Sequence, residues 1–383
     1  MKFSSLLRVS VGLTGNNLLG FGNAKMFKRL STILEFNCMP YNELRKDYLL
    51  DRWVVIATER ARRPTDFVKQ KKEQAAASVC PLCPGNEHMT PPAMLLYLNS
   101  NGEIVKDKDT IDLRHKNWLL HCIPNLFPAF TPPKQDADET GVMKSEVFGS
   151  AVGHHEVLIE SPNHDAHPAS AELPQLINVI NGYIDRLREL SAKPYVKYVS
   201  VFRNHGQEAG ASLSHAHSQL IAMPFVPTTV DQEVAASMKF LTQQGKCVFC
   251  DLIVQESKSP RLILDSEHFV VIAPHASVNP LEFWILPKRH AANPLILTES
   301  EKESFARTLK ATLKALKDIV NDPPYNYGIH LSINKESKEC YHWHLEVYPK
   351  LNIWAGFEKS TGVYINTVPP ETAAAELKKF LSH

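Results

Sequence analysis

Apolar residues in this chain fall into two helical stripes and a series of shorter runs that read as strands. Leu173, Leu176, Ile177, Ile180, Ile184 and Leu187 recur every three or four positions and predict a helix over 173–190. Phe305, Leu309, Leu313, Leu316 and Val320 do the same over about 300–320. Strands are predicted around 51–57, 156–160, 195–202, 269–272 and 327–333, with a polar, helix-prone connection after Pro227. The aromatic-rich segment from Asn117 to Phe130 reads as a buried loop, or alternatively as a wall of a base pocket.

The stretch Ser212–Gln219 stands out from these runs. It reads Ser-Leu-Ser-His-Ala-His-Ser-Gln and leads into the apolar Leu220-Ile221-Ala222-Met223. In an extended chain alternate side chains share a face, so His215, His217 and Gln219 are expected to point the same way. Two imidazoles and a carboxamide make poor core but a good polar site. An imidazole attacks phosphorus or binds a metal, and an amide orients a ring or a phosphate oxygen.

With 383 residues, 44% of them hydrophobic, the chain is long enough for two ordinary domains. A net charge of +1 gives no sign of a nucleic-acid or membrane-surface protein, and no apolar run reaches bilayer-spanning length. Of seven cysteines, four form the pairs Cys80/Cys83 and Cys247/Cys250, which suggests metal ligation in a reducing compartment rather than disulfides. Cys38, Cys122 and Cys340 read as ordinary small residues. The first 34 residues lack Asp and Glu but carry Lys2, Arg8, Lys25, Lys28 and Arg29. Residues 1–40 are therefore expected to be a leader, either a transit peptide or a disordered extension. The expected location is the cytoplasm, with a mitochondrion or plastid as the alternative.

The rest of the chain repeats itself. Each half has a C-x-x-C pair, then a strand running from a Glu to a His eight residues on (Glu156 to His164, Glu282 to His290). Each continues with a helix, a strand and H-x-H-x-[Q/E]. His164 to His215 spans 51 residues and His290 to His342 spans 52. Matched spacing on this scale signals duplicated domains. The expected organisation is an N-terminal domain over 41–230 and a C-terminal domain over 240–383.

Each half thus offers two thiolates and two imidazoles, a set suited to tetrahedral zinc. The expected ligands are Cys80, Cys83, His164 and His215 in the first half, and Cys247, Cys250, His290 and His342 in the second. Four protein ligands close the shell, so two structural zinc ions per chain are expected. With His215 tied to metal, His217 is free to act as a nucleophile toward an α-phosphorus, giving a phosphoramidate. Arg60, Arg63, Ser212 and Gln219 are candidates to stabilise charge on the non-bridging oxygens. The second half has Glu346 in place of Gln219, and a carboxylate there repels phosphate, so no second active site is expected.

These residues resemble the galactose-1-phosphate uridylyltransferase family, within the histidine-triad superfamily, over about residues 45–380. The matched positions are Trp53, Arg60 with Arg63, Cys80-Pro-Leu-Cys83-Pro-Gly, Asn125, Ser161-Pro-x-His164, Asn204, Ser212, His215-x-His217-x-Gln219 and Gly356-Phe357-Glu358. The resemblance implies an α+β fold of two tandem histidine-triad-like domains, each an antiparallel sheet (half-barrel) with flanking helices, and a homodimer. It implies ping-pong transfer of a nucleoside monophosphate from a sugar nucleotide, through His217, to a sugar phosphate or inorganic phosphate. Ser212 and Gln219 would hold the α-phosphate, Arg60, Arg63, Asn125 and Asn204 would contact the nucleotide, and Phe357 would lie near the sugar.

The chain departs from the typical His-Pro-His-Gly-Gln in reading His215-Ala-His217-Ser-Gln219. The segments 210–219, 321–327 and 361–366 look closer to a plant branch that moves an adenylyl group from ADP-glucose to phosphate. That branch uses a cysteine pair for its second zinc. Some uridylyltransferases use a Glu instead, and Glu233, sixteen residues past His217, is the alternative ligand here. His344-x-Glu346 departs from the plant-like pattern. The leading expectation is the ADP-glucose-using reaction. A hexose-1-phosphate uridylyltransferase of galactose metabolism, a nucleotide hydrolase and a non-catalytic zinc-stabilised nucleotide-binding module are the alternatives.

Overall fold

The computed structural model describes residues 42–58, 67, 80–133 and 149–381. The expected leader, Arg60 and Arg63 lie outside the described residues. The strands in chain order are β1 (Glu43–Lys46), β2 (Trp53–Ile56), β3 (Leu95–Ser100), β4 (Glu103–Asp107), β5 (Trp118–Pro124), β6 (His154–Ile159) and β7 (Tyr198–His205). They continue with β8 (His217–Met223), β9 (Leu262–Asp265), β10 (Phe269–Ile272), β11 (Phe283–Pro287), β12 (Tyr325–His330), β13 (His344–Pro349) and β14 (Tyr364–Asn366). The helices are α1 (Leu173–Ser191), α2 (Thr228–Gln244), α3 (Val248–Glu256), α4 (Glu299–Val320), α5 (Gly356–Thr361) and α6 (Pro370–Leu381).

An eleven-stranded antiparallel sheet has the order β4-β3-β5-β6-β8-β7-β12-β13-β11-β10-β9, and β1, β2 and β14 form a small second sheet. Read outward from the central β7–β12 pair, both sides present the same sequence of parts. The strand entered from the long helix comes first, then the strand of the H-x-H segment, then the strand that leads to the first histidine. β7 and β12 pair from Tyr325↔His205 to Ile329↔Val201, so one hydrogen-bonded sheet runs through both halves.

The two predicted helices form for the reasons the pattern gives. α1 buries Leu176, Ile180, Ile184 and Leu187 together with Val179, Tyr183 and Leu190. α4 starts with a capping box in which the Thr298 side chain accepts from the Glu301 N–H and Glu301 accepts in return from the Thr298 N–H. It ends where Asn321 turns left-handed (φ 56°). Both helices bury their stripes in one apolar core with Leu220, Val270, Ile285 and Leu345 from the sheet.

Three expectations need correction. The 117–130 segment is not a loop throughout: Trp118–Pro124 is β5, an interior strand between β3 and β6. Its side chains are nearly all buried, which erases the alternation that marks a half-exposed strand. The Ser212–Gln219 stretch is also not one extended strand, because β8 starts at His217. Ahead of it, the Ala216 carbonyl accepts from the Glu160 N–H (2.9 Å) and the Ala216 N–H donates to the His164 carbonyl (3.4 Å). That curl turns His215 toward the cysteines. The third predicted strand starts later than expected, at Tyr198, and runs to His205, which brings Asn204 into the sheet.

Candidate active site

Cys80, Cys83, His164 and His215 come together as one group, as do Cys247, Cys250, His290 and His342, with the ligand atoms of each within 4.8 Å of one another. In the first group Cys83 Sγ lies 3.3 Å from His164 Nδ1 and 3.4 Å from His215 Nδ1. In the second, Cys250 Sγ lies 3.4 Å from His290 Nδ1 and 3.6 Å from His342 Nδ1. The far nitrogens are held from outside. His215 Nε2 donates to the Ser161 carbonyl and His342 Nε2 to the Pro287 carbonyl, both at 2.8 Å. Each acceptor lies three residues before the first histidine of its own set. These outer bonds fix the tautomer that leaves the Nδ1 lone pair facing the thiols, the form a metal ligand requires.

The electrostatics of both groups suit a cation. Burial lowers His215 to about 4 and also lowers His342, so both rings are held neutral. Cys83 is pushed up to about 11 by burial and by the neighbouring Cys80. Cys247 is pulled down to about 4 by its bond from Cys250, against burial, and Cys250 is pushed up by the same bond. In each pair the neighbouring sulfur opposes a second negative charge, on Cys83 and on Cys250, which a bound cation would relieve.

His217 begins β8 and is 7% exposed. Its Nδ1–H donates to the His215 carbonyl at 2.7 Å, which leaves the Nε2 lone pair without a hydrogen bond among the described residues. Burial lowers its pKa, with the His215 carbonyl bond opposing, so the neutral ring is favoured. Gln219 follows on the same strand face, opposite Val157 of β6. Ser212 is exposed on the loop leading into β8. Asn204 lies on β7, where its side-chain oxygen accepts from Asn326 Nδ2 at 2.7 Å, a bond supplied by β12. Asn125 follows β5, and its oxygen accepts from the Phe127 N–H at 2.8 Å. Phe357 stands half-exposed on α5, downstream of β13 and far in sequence from His217.

Sequence reasoning missed the layer beneath His217. Ser218 points to the opposite sheet face from His217 and Gln219, where its hydroxyl meets Glu160 and Tyr183. Glu160 also accepts from Arg203 Nε at 3.0 and 3.1 Å, and Tyr183 meets Tyr327 at 2.8 Å. Glu160 and Arg203 are almost completely buried, and a buried charge of this kind requires a paired partner. A usable signal was present: a serine at a core-facing strand position needs a polar partner.

Glu233 belongs to a third group, with His330, His344 and Glu346. His330 Nδ1 lies 3.0 and 3.1 Å from the two Glu233 oxygens, and His344 Nε2 donates to Glu346 at 3.0 Å. Burial opposes charge on His330, but Glu233 and Glu346 outweigh it and raise its pKa to about 9. The cysteine set and the Glu233 set, foreseen as alternatives, are both present and use different residues. Glu346, in the position that corresponds to Gln219, is engaged by His344 and Tyr348.

A family model described as a domain of unknown function (DUF4921) matches residues 169–383. ADP-glucose phosphorylase of Arabidopsis thaliana is 37% identical over 347 residues, covering 88% of this chain and 92% of that one. Galactose-1-phosphate uridylyltransferase of Thermotoga maritima is 29% identical over 349 residues, covering 88% and 98%. The crystal structure of the Arabidopsis thaliana ADP-glucose phosphorylase with bound ADP-glucose superposes with a TM-score of 0.73 at 32% identity, covering 88% of this chain and 99% of that one. The chain belongs to the galactose-1-phosphate uridylyltransferase family and is an enzyme of the nucleotidyltransferase class. Of the two relatives compared by sequence, the phosphorylase is the more similar.

Proposed function

We propose that this enzyme is an ADP-glucose phosphorylase acting by ping-pong transfer through His217. The observation that carries the reading is the bond from His217 Nδ1 to the His215 carbonyl, which directs a neutral Nε2 lone pair outward beside Gln219. In the first step Nε2 attacks the α-phosphorus of ADP-glucose. A P–N bond forms, the bond to the bridging oxygen breaks, and glucose 1-phosphate leaves. The ring gains positive charge as it reacts, and the His215 carbonyl on Nδ1–H stabilises that charge. In the second step inorganic phosphate attacks the same phosphorus from the acceptor side, ADP leaves and the imidazole is restored. Gln219, Ser212 and the arginines Arg60 and Arg63 are assigned to the phosphate oxygens, Asn125 and Asn204 to the nucleotide, and Phe357 to the sugar side.

Zinc is the ion we assign to both cysteine–histidine sets, because two thiolates and two imidazoles match its tetrahedral preference. With four protein ligands each, these ions would hold the entry to β8 and the entry to β13 and take no part in the chemistry. The mirrored strand order on either side of β7–β12 supports tandem copies over 41–230 and 240–383, and the resemblance to the family is the ground for assigning a homodimer. A release assay tests the reaction. ADP-glucose and UDP-glucose are offered separately, each with phosphate or with galactose 1-phosphate. Turnover of ADP-glucose with phosphate is expected. Turnover of UDP-glucose only with galactose 1-phosphate would replace this reading with a uridylyltransferase.

A further inference from the structure

His155 lies on β6, on the same sheet face as His217 and Gln219, one alternate position along from the residue opposite Gln219. None of the motif matches above includes it. Its ring is bracketed by three contacts. The Ala129 N–H donates to Nδ1 at 3.1 Å, Gln219 Oε1 lies 2.7 Å from Nε2, and Asn125 Nδ2 lies 3.2 Å from Nε2. A backbone N–H can only donate to an unprotonated nitrogen, so in the neutral ring the proton sits on Nε2. That N–H donates to the Gln219 oxygen. Asn125 turns its NH₂ to the same N–H, a donor facing a donor, so the two make no hydrogen bond, while the Asn125 oxygen accepts from the Phe127 N–H.

This arrangement settles which end of the Gln219 amide faces which way. An amide is a donor at one end and an acceptor at the other, and a donor on His155 selects the oxygen. The NH₂ end is then turned away from His155, with no hydrogen bond among the described residues, on the sheet face that Gln219 shares with His217. The opposite flip would aim a carbonyl oxygen at an incoming phosphate and repel it. We propose that His155 is a positioning residue for nucleotidyl transfer, which holds the Gln219 oxygen through Nε2–H and so presents the Gln219 NH₂ to the α-phosphate. The proposal rests on the reading of His217 as the nucleophile and Gln219 as a phosphate ligand.

The test is a double-mutant cycle on the full chain, following formation of the nucleotidyl-histidine from labelled ADP-glucose by rapid quench. His155→Phe keeps a ring but removes the donor. His155→Gln places an amide N–H near the position of Nε2. Adduct formation in His155→Phe is expected to slow by about tenfold or more, while the KM for ADP-glucose changes much less. His155→Gln is expected to recover most of the rate. The double variant His155→Phe/Gln219→Ala is expected to be no slower than Gln219→Ala alone, because the role of His155 is exercised through that amide. If wild type forms the adduct but the two losses multiply, or if His155→Phe keeps the wild-type rate, the His155 assignment is overturned and the reaction assignment stands. If wild type forms no acid-labile adduct from any sugar nucleotide, the nucleophile reading falls and takes this proposal with it.

Discussion

Tyr183 on α1 and Tyr327 on β12 share a hydrogen bond of 2.8 Å between their hydroxyls, both fully buried. One residue comes from each half of the sequence repeat. With β7 and β12 in register, the bond links the buried Glu160–Arg203 pair of the first half to β12 of the second through Tyr183. Tyr327→Phe is therefore expected to cost about 1 kcal/mol, because Tyr183 keeps Ser218 and Glu160 as partners. Urea unfolding is expected to stay a single transition for wild type and variant alike. Two transitions would show that the halves unfold independently.

Chemistry and folding are expected to separate by mutation. His217→Asn should abolish the acid-labile, base-stable adduct while zinc content and melting temperature stay near wild type. Cys80→Ser should instead lower stability by about 3 kcal/mol or more, because ligand loss from a closed set removes folding free energy. Labelled sugar nucleotide with metal analysis of the same samples reads both effects. An adduct that survives His217→Asn would remove that residue from the mechanism.

Metal counting tests the choice among the three clusters. Two zinc ions per chain are expected, falling to one in Cys250→Ser and unchanged in Glu233→Gln. In the Glu233 group, His330, raised to about 9 by Glu233 and Glu346, offsets part of the carboxylate charge without an ion. A count of three that falls to two in Glu233→Gln would place an ion there.

Asp109 supplies the acid-side prediction. Burial opposes its charge, but the N–H groups of His115 and Ala93 and the side chains of His115 and Arg114 outweigh it and lower its pKa from 3.8 to about 2. A carboxylate lowered on folding adds stability at pH values above its unfolded pKa and loses it as pH falls toward the folded one. Asp109→Asn should thus be most destabilising at neutral pH, with the gap to wild type closing between pH 3.8 and about 2. Urea midpoints at pH 7, 4 and 3 check this. A gap that does not change with pH would contradict it.

Much of the candidate site was legible because its chemistry is local or periodic. The C-x-x-C pairs and the matched intervals from His164 to His215 and from His290 to His342 mark the candidate ligands by number and type, and the structure brings both sets together. Helical stripes over 173–190 and 300–320 repeat every turn, so their burial needs no tertiary information. β5 was not legible, because an interior strand buried on both faces looks like any apolar run.

Residue type and spacing alone specified the two candidate cysteine–histidine sets, the placing of His217 two residues before Gln219, the long helices and the internal repeat. Only the tertiary structure decided that His215 curls out of the strand to the cysteines, that His155 turns the Gln219 amide, and that Ser218, Glu160, Arg203, Tyr183 and Tyr327 form one buried network. Each of these depends on strand register and on which face two distant segments share. Those choices follow from burying the whole apolar surface at once, which no single stretch of residues specifies.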